Sequence, residues 1–434
     1  MAGIPSIIVI DEESMSVKQS YLIVSGHFFN PLESGGWDDI TQGALCFDEE
    51  GRIASFGTFE KVSAQYRLGK YCELIDYSEF LIIPAFVDVH LHAPQFNCRG
   101  YYSDNLLEWL DNFIFTEEEK FASSAYANNI ATELYKEMAS YGIGTASIYG
   151  SVHPNATDIL FAKGAKTSMK LAIGKVMMDR SEYETTAESL SQSLELYQKW
   201  DGKNGGRLRY SFTPRFAPSC TEKLLEEVGK IVSTENALCQ THLSETPGEL
   251  ELVKKLFLGY RNYTEVYSKN KLLKEGSIVA HSIYLDDDEY RILKESGSGV
   301  AHCPDSNMFL HSGKMDLNRM LVMKIPIGLG SDIGAGSTLS PFNSMKMMIY
   351  AHGKSDITPE MAFYLATLGG AKVIGFGDIT GNFSIGKDAD FIVMRKPNKV
   401  PADGNYTRQV LSHLIFCNGE HHLKAVYLKG ERVN

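Results

Sequence analysis

The chain has 434 residues, enough for two or three domains with ordinary hydrophobic cores and no need of disulfide staples. Lys and Arg number 42 against 54 Asp and Glu, a net charge of −12, which argues against a nucleic-acid partner because such binding rests on cationic side chains displacing counterions. Mean hydropathy is −0.17, and the apolar run from Phe80 to Val87 ends at Asp88, far short of the roughly 20 residues a bilayer span needs, so no membrane partner is expected.

Taken in chain order, Met1 to Ser20 carries Asp11, Glu12 and Glu13 where a secretory signal would carry basic residues and then an apolar core, so a cytoplasmic protein is expected. The seven cysteines are scattered with no C-x-x-C pair, which reads as reduced packing residues and removes thiolate zinc sites. Short β-type runs, Tyr21 to Val24 and Ala44 to Phe47, the latter followed by the turn-like Asp48-Glu-Glu-Gly51, predict a small antiparallel unit. From Pro84 onward, apolar β-type segments are each separated by enough chain for a helix: Ile82–His92, Gly144–Ser151, Leu171–Met178, Leu208–Phe216, Ala237–Glu245, Ser277–Tyr284, Gly299–Pro304 and Ile325–Asp332. That alternation over about 250 residues predicts an α/β fold, a (β/α)8 TIM-like barrel. Thr358-Pro359-Glu360 opens a further helix that stops at Gly375. β character returns at Gly386 to Met394 and Ala425 to Gly430, predicting a small β-sandwich domain built from both chain termini, residues 1–83 and 376–434, around a barrel over 84–375.

The chemistry sits at the strand ends. His90 and His92 close the first segment, His242 the fifth, His281 the sixth and Asp332 the eighth. Strand C-termini of a barrel converge on one face, so these residues meet there. The i, i+2 spacing of His90 and His92 puts both imidazoles on one side of a strand. With His242 and Asp332 they suit a mononuclear, zinc-like divalent ion with a position left for water. Glu245, three residues after His242, is a free carboxylate able to move a proton from water to a ring nitrogen and then to a leaving amine. His302 also ends a strand, but Cys303-Pro304 follows, and it reads as a structural imidazole bonded to backbone. His27, His153, His311, His352, His413, His421 and His422 have no such context. Dinucleotide, P-loop and nucleophile-elbow motifs do not occur.

Pro84-Ala-Phe-Val-Asp-Val-His-Leu-His92, Thr241-His-Leu-Ser-Glu245, Ala301-His-Cys-Pro-Asp-Ser-Asn307 and Gly330-Ser-Asp332 resemble the amidohydrolase superfamily in its aminohydrolase branch. His92-Ala-Pro-Gln95, Thr213-Pro-Arg-Phe216, Asn262-Tyr-Thr-Glu-Val-Tyr267 and Ala366-Thr-Leu-Gly-Gly370 narrow the likeness to members that deaminate guanine. The resemblance implies hydrolysis of guanine to xanthine and ammonia, in purine catabolism or salvage, by a homodimer with one Zn²⁺ per subunit, or Fe²⁺. It implies that His90, His92, His242 and Asp332 hold the metal, with His281 either a further ligand or a donor to the water. Glu245, His281 and Asp332 are the implied catalytic groups. The purine would meet His92, Ala93, Pro94, Gln95, Arg215, Phe216, His242, Glu245 and Asp332. Arg215 offers a planar fork of donors to a ring carbonyl, and Gln95 a donor and an acceptor. One departure is Ala85, where the family usually has Gly; a packing effect alone is expected there. Rival readings are another aminohydrolase of the branch, acting on adenosine-like, pterin or triazine compounds, and a non-catalytic scaffold. A binuclear site would need a bridging lysine on the fourth segment, and Leu208 to Phe216 has none.

Overall fold

The computed structural model describes residues 7–9, 20–34, 36–66, 70–103, 106–353, 357–398, 400 and 405–434. Of the acidic stretch 1–20 only Ile7–Val9 and Ser20 are described; the expectations for the rest lie outside the described residues.

Each of the eight apolar segments yields a barrel strand: Phe86–His92, Ile143–Tyr149, Lys170–Gly174 continued by Val176–Met177, Leu208–Pro214, Leu238–Leu243, Ser277–His281, Gly299–His302 and Ile327–Leu329. They pair in parallel and in this order. The first two are buried at every position, which is why they read as unbroken apolar runs rather than alternating ones. Helices cover the outside, several opened by capping boxes such as Thr185 with Glu188 and Asp286 with Glu289, the second closed by Gly297 at φ 70°. No ladder joins the first strand to the eighth. Instead the Asp332 N–H donates to the His90 carbonyl at 2.8 Å, and Asp88 Oδ1 accepts from the N–H groups of His90 (3.2 Å) and Ser331 (3.0 Å). The seam therefore closes at the level of the predicted ligands.

Both chain ends build the second sheet, in the order Glu431–Arg432, Leu423–Leu428, Phe391–Arg395, Lys70–Pro84, Tyr21–Pro31, Trp37–Asp48 and Ile53–Thr58. It is mixed rather than wholly antiparallel, because Tyr21–Pro31 runs parallel to Lys70–Pro84. The intervening hairpin and the helix Phe59–Gln65 supply the crossover that a parallel pair requires. The chain leaves this sheet at Pro84 and enters the barrel at Phe86. Ala85 is buried at that junction, its N–H donating to the Asp390 carbonyl, a packing position as expected. The helix after Thr358 forms as Pro359–Tyr364, passes through a π-helical turn at Leu365–Gly369 and ends at Gly375 with φ 86°. The helix Tyr406–Phe416 was not foreseen.

Lys170, at the start of the third barrel strand, is fully buried and ion-paired with Asp388, at 2.9 Å, and with Asp390. Arg52 reaches Asp388 from outside at 3.3 Å. Lys170→Met is expected to lower the unfolding free energy by about 3–5 kcal/mol, because Asp390 would remain buried without a cation and Asp388 with only the part-exposed Arg52. Denaturant titration measures this, and a loss below about 1 kcal/mol, the range of an exposed pair, would mean that water reaches the carboxylates.

Candidate active site

His90, His92, His242, His281 and Asp332 come together at the C-terminal mouth of the barrel, where either the trio His90, His242 and His281 or the trio His90, His92 and Asp332 could hold one ion. Asp332 Oδ1 lies 3.2 Å from His90 Nε2 and 3.5 Å from His92 Nε2. The Nε2 atoms of His92 and His242 face each other at 3.1 Å. Each outer ring nitrogen of the later pair is engaged: His242 Nδ1 lies 2.7 Å from the Arg215 carbonyl and His281 Nδ1 2.8 Å from Asn307 Oδ1. A carbonyl can only accept, so His242 Nδ1 carries the proton and its Nε2 presents a lone pair inward. His281 and Asp332 sit at φ 69° and 49°, left-handed values that cost non-glycine residues energy and cluster at functional sites. Beneath them Tyr149 packs its ring 4.5–4.9 Å from those of His90, His92 and His242.

The donor set fits a divalent cation. Buried His90 Nε2 faces Asp332 Oδ1 at 3.2 Å without a well-formed hydrogen bond, a costly state that a cation taking its one lone pair would relieve. Burial holds His90, His92 and His242 below the usual imidazole range, in the neutral form that ligates metal. Asp332 would be raised by burial, but His90, His281 and His92 outweigh this and keep it ionised. His281 differs. Burial lowers it, yet the carboxylates of Glu245, 3.5 Å away, and Asp332, 4.0 Å away, dominate and raise it. Its environment is that of a proton-handling group as much as a ligand.

Glu245 is fully buried, raised chiefly by that burial and secondarily by Asp332. Ser312 Oγ donates to its Oε1 at 2.8 Å, and its own N–H donates to Glu249 Oε2 at 2.8 Å. A pocket opens above the cluster. Gln95, Arg215, Phe216 and Glu245 line it together with His92, His242, His281 and Asp332, under a roof that includes Trp109 and Leu310. His90 lies deeper, and Ala93 and Pro94 belong to the short turn Ala93–Gln95 without lining the pocket.

The amidohydrolase family model matches residues 81–433. The chain belongs to the amidohydrolase family. It is 35% identical to the guanine deaminase of Escherichia coli over 89% of this chain and 88% of that protein, and 34% identical to that of Mus musculus over 95% and 96%. Among solved structures, the guanine deaminase of C. acetobutylicum with guanine bound in its active site superposes with a TM-score of 0.87 at 30% identity, covering 96% of this chain and 100% of that one.

Within this amidohydrolase barrel, several neighbours of the site escaped sequence reasoning. Glu118 binds both Arg215 and Gln95, but it stands in Phe115-Thr-Glu-Glu-Glu-Lys120, which looks like a solvated helix turn. Ser312 carries no local signal at all. Asn262 to Tyr267 did stand out, and its role is visible: Tyr267 Oη donates to the His242 carbonyl at 2.8 Å, and Tyr263 Oη to Glu249 at 2.7 Å. His302 is bonded not to backbone but to His352, one of the seven histidines without a strand-end context, through Nε2 atoms 3.1 Å apart. Burial holds both below the ordinary range, His352 at about 4. Lys175 is buried beside Glu184, one strand before the position of a bridging lysine. All seven cysteines are free, and all but Cys417 are buried.

Proposed function

We propose that this amidohydrolase converts guanine and water to xanthine and ammonia. One observation carries the reading: a cluster of imidazoles with Asp332, able to hold one ion, adjoins a pocket lined by a buried carboxylate, Glu245, and by Arg215 and Gln95. The similarity to guanine deaminases over most of the chain supports the same substrate.

His90, His92, His242 and Asp332 are the residues proposed to hold one divalent ion per subunit, Zn²⁺ or Fe²⁺, since nitrogen and oxygen donors accept either. Such an ion supplies Lewis acidity that makes water acidic near neutral pH. Glu245 takes the proton from the attacking water and passes it to the ring nitrogen beside C2. The remaining proton of that water is then transferred to the exocyclic amine, which leaves as ammonia as its bond to C2 breaks. His281 faces both Glu245 and Asp332 and stabilises their charge as the proton moves. Arg215 donates to the C6 carbonyl, Gln95 meets the purine edge, and Phe216 forms an apolar wall. The family likeness also supports a cytoplasmic homodimer acting in purine catabolism or salvage, and the change of sheet at Ala85 supports a catalytic unit over residues 84–375.

Ammonia release from guanine is the direct test. In the wild type, adenine and cytosine should be turned over far less efficiently than guanine. Arg215→Ala is expected to lower kcat/KM for guanine by at least roughly 10- to 150-fold, the worth of a charge-assisted hydrogen bond, since it also strips the buried Glu118 of its bidentate partner, and so to narrow the gap to adenine. Equal losses on guanine, adenine and cytosine would make Arg215 structural, and a wild type preferring adenine or cytosine would sink the guanine assignment.

A further inference from the structure

Glu118 takes no part in the proton transfers above, yet its buried carboxylate engages two of the residues proposed to hold the purine. The helix Phe115–Glu119 delivers it. Oε2 accepts from Arg215 Nη1 at 2.6 Å, while Oε1 accepts from Arg215 Nη2 at 3.0 Å and from Gln95 Nε2 at 3.0 Å. The ring of Phe115, three residues earlier, lies 5.3 Å from the guanidinium carbon.

Two consequences follow from these contacts. A carboxylate is an acceptor, so the amide of Gln95 must turn its NH₂ toward Glu118 and keep Oε1 as its free acceptor. Gly334 leaves room for that arrangement, since a Cβ there would stand 2.6 Å from Oε1. The second consequence is electrostatic. Arg215 retains three further N–H donors for a ligand, but its charge is already met by a bidentate partner inside a buried site.

We infer that Glu118 is a positioning residue that sets the charge of the purine pocket, so that the site favours a neutral oxopurine over an anionic one. The inference rests on the guanine reading and adds to it a basis for product release. Hydrolysis replaces the exocyclic amine by a second ring carbonyl, and the resulting imide is more acidic than guanine, so the product is partly anionic near neutrality. An unpaired buried guanidinium would hold that anion. The Arg215–Glu118 pair presents it with no net positive charge and with a neighbouring carboxylate.

The experiment is calorimetric binding of xanthine and hypoxanthine to the metal-loaded protein at mildly alkaline pH, where xanthine is largely the anion and hypoxanthine largely neutral. Glu118→Gln is expected to raise the ratio of xanthine to hypoxanthine affinity by roughly tenfold or more, as one charge-assisted interaction is freed for the ligand. An unchanged ratio would overturn the inference even if guanine turnover fell, because a purely structural role weakens both ligands alike. Glu118→Asp, which keeps the charge but is too short to serve all three donors, gives a second reading. It should raise KM for guanine and leave the ratio at the wild-type value; a ratio shifted toward xanthine in this variant counts against the inference. A wild type that released no ammonia from guanine would remove the proposed function, while the affinity ratio would still judge Glu118.

Discussion

Glu245→Gln is expected to lower kcat by roughly 10³- to 10⁴-fold while leaving fold and metal content unchanged. General acid–base groups contribute ~10²–10⁴-fold, and a carboxylate used for two successive transfers belongs at the upper end of that range. The geometry supports a clean comparison. The Glu245 side chain is held by Ser312 and its backbone by Glu249, so the isosteric amide keeps the contact with Ser312 and loses only the ability to carry a proton. Burial raises the carboxyl of Glu245 above its ordinary range, which brings its acidity closer to that of the water and ring nitrogen between which it works. Steady-state kinetics with guanine and elemental analysis of the same preparation measure the two halves of the prediction. Turnover within tenfold of the wild type would exclude Glu245 as the proton carrier.

The second large effect is expected at Asp332. Asp332→Ala removes a proposed ligand and also the one carboxylate that faces His90, His92 and His281 together. Loss of an outer hydrogen-bond partner typically costs 10–100-fold in metal affinity; loss of a direct ligand should cost at least about 100-fold, leaving substoichiometric metal and turnover at least about 10⁴-fold below the wild type. His90→Ala should behave in the same way, since it removes the imidazole whose Nε2 faces Asp332 in the proposed ligand set. Elemental analysis after dialysis decides the matter: stoichiometric metal in both variants would mean that the ligand set is wrong. The barrel should survive in each case, because these side chains lie at the strand mouth and not in the packed layers below. An unchanged far-ultraviolet circular dichroism spectrum checks this.

Much of the catalytic constellation is legible in linear pattern. Parallel strands covered on both faces must be apolar throughout, so Phe86–His92 and Ile143–Tyr149 stand out as unbroken hydrophobic runs. An imidazole or carboxylate ending such a run has no packing explanation, and barrel topology carries His90, His92, His242, His281 and Asp332 to one mouth whatever their separation along the chain. The family motifs add Gln95, Arg215 and Phe216, all of which line the same pocket.

Other features exist only because distant segments fold against one another. Glu118 stands 97 residues from Arg215, within an acidic run that looks no different from a solvated helix end. His302 meets His352 50 residues away, and Lys170 meets Asp390 220 residues away. Pattern reasoning recognises periodicity and local spacing, but a buried charge is chosen by its partner, and neither member of such a pair leaves a periodic trace. The parallel pairing of Tyr21–Pro31 with Lys70–Pro84 is hidden for a related reason. Strand propensity is the same for either direction, and only the path of the intervening hairpin and helix across the sheet decides which edge the returning strand can reach.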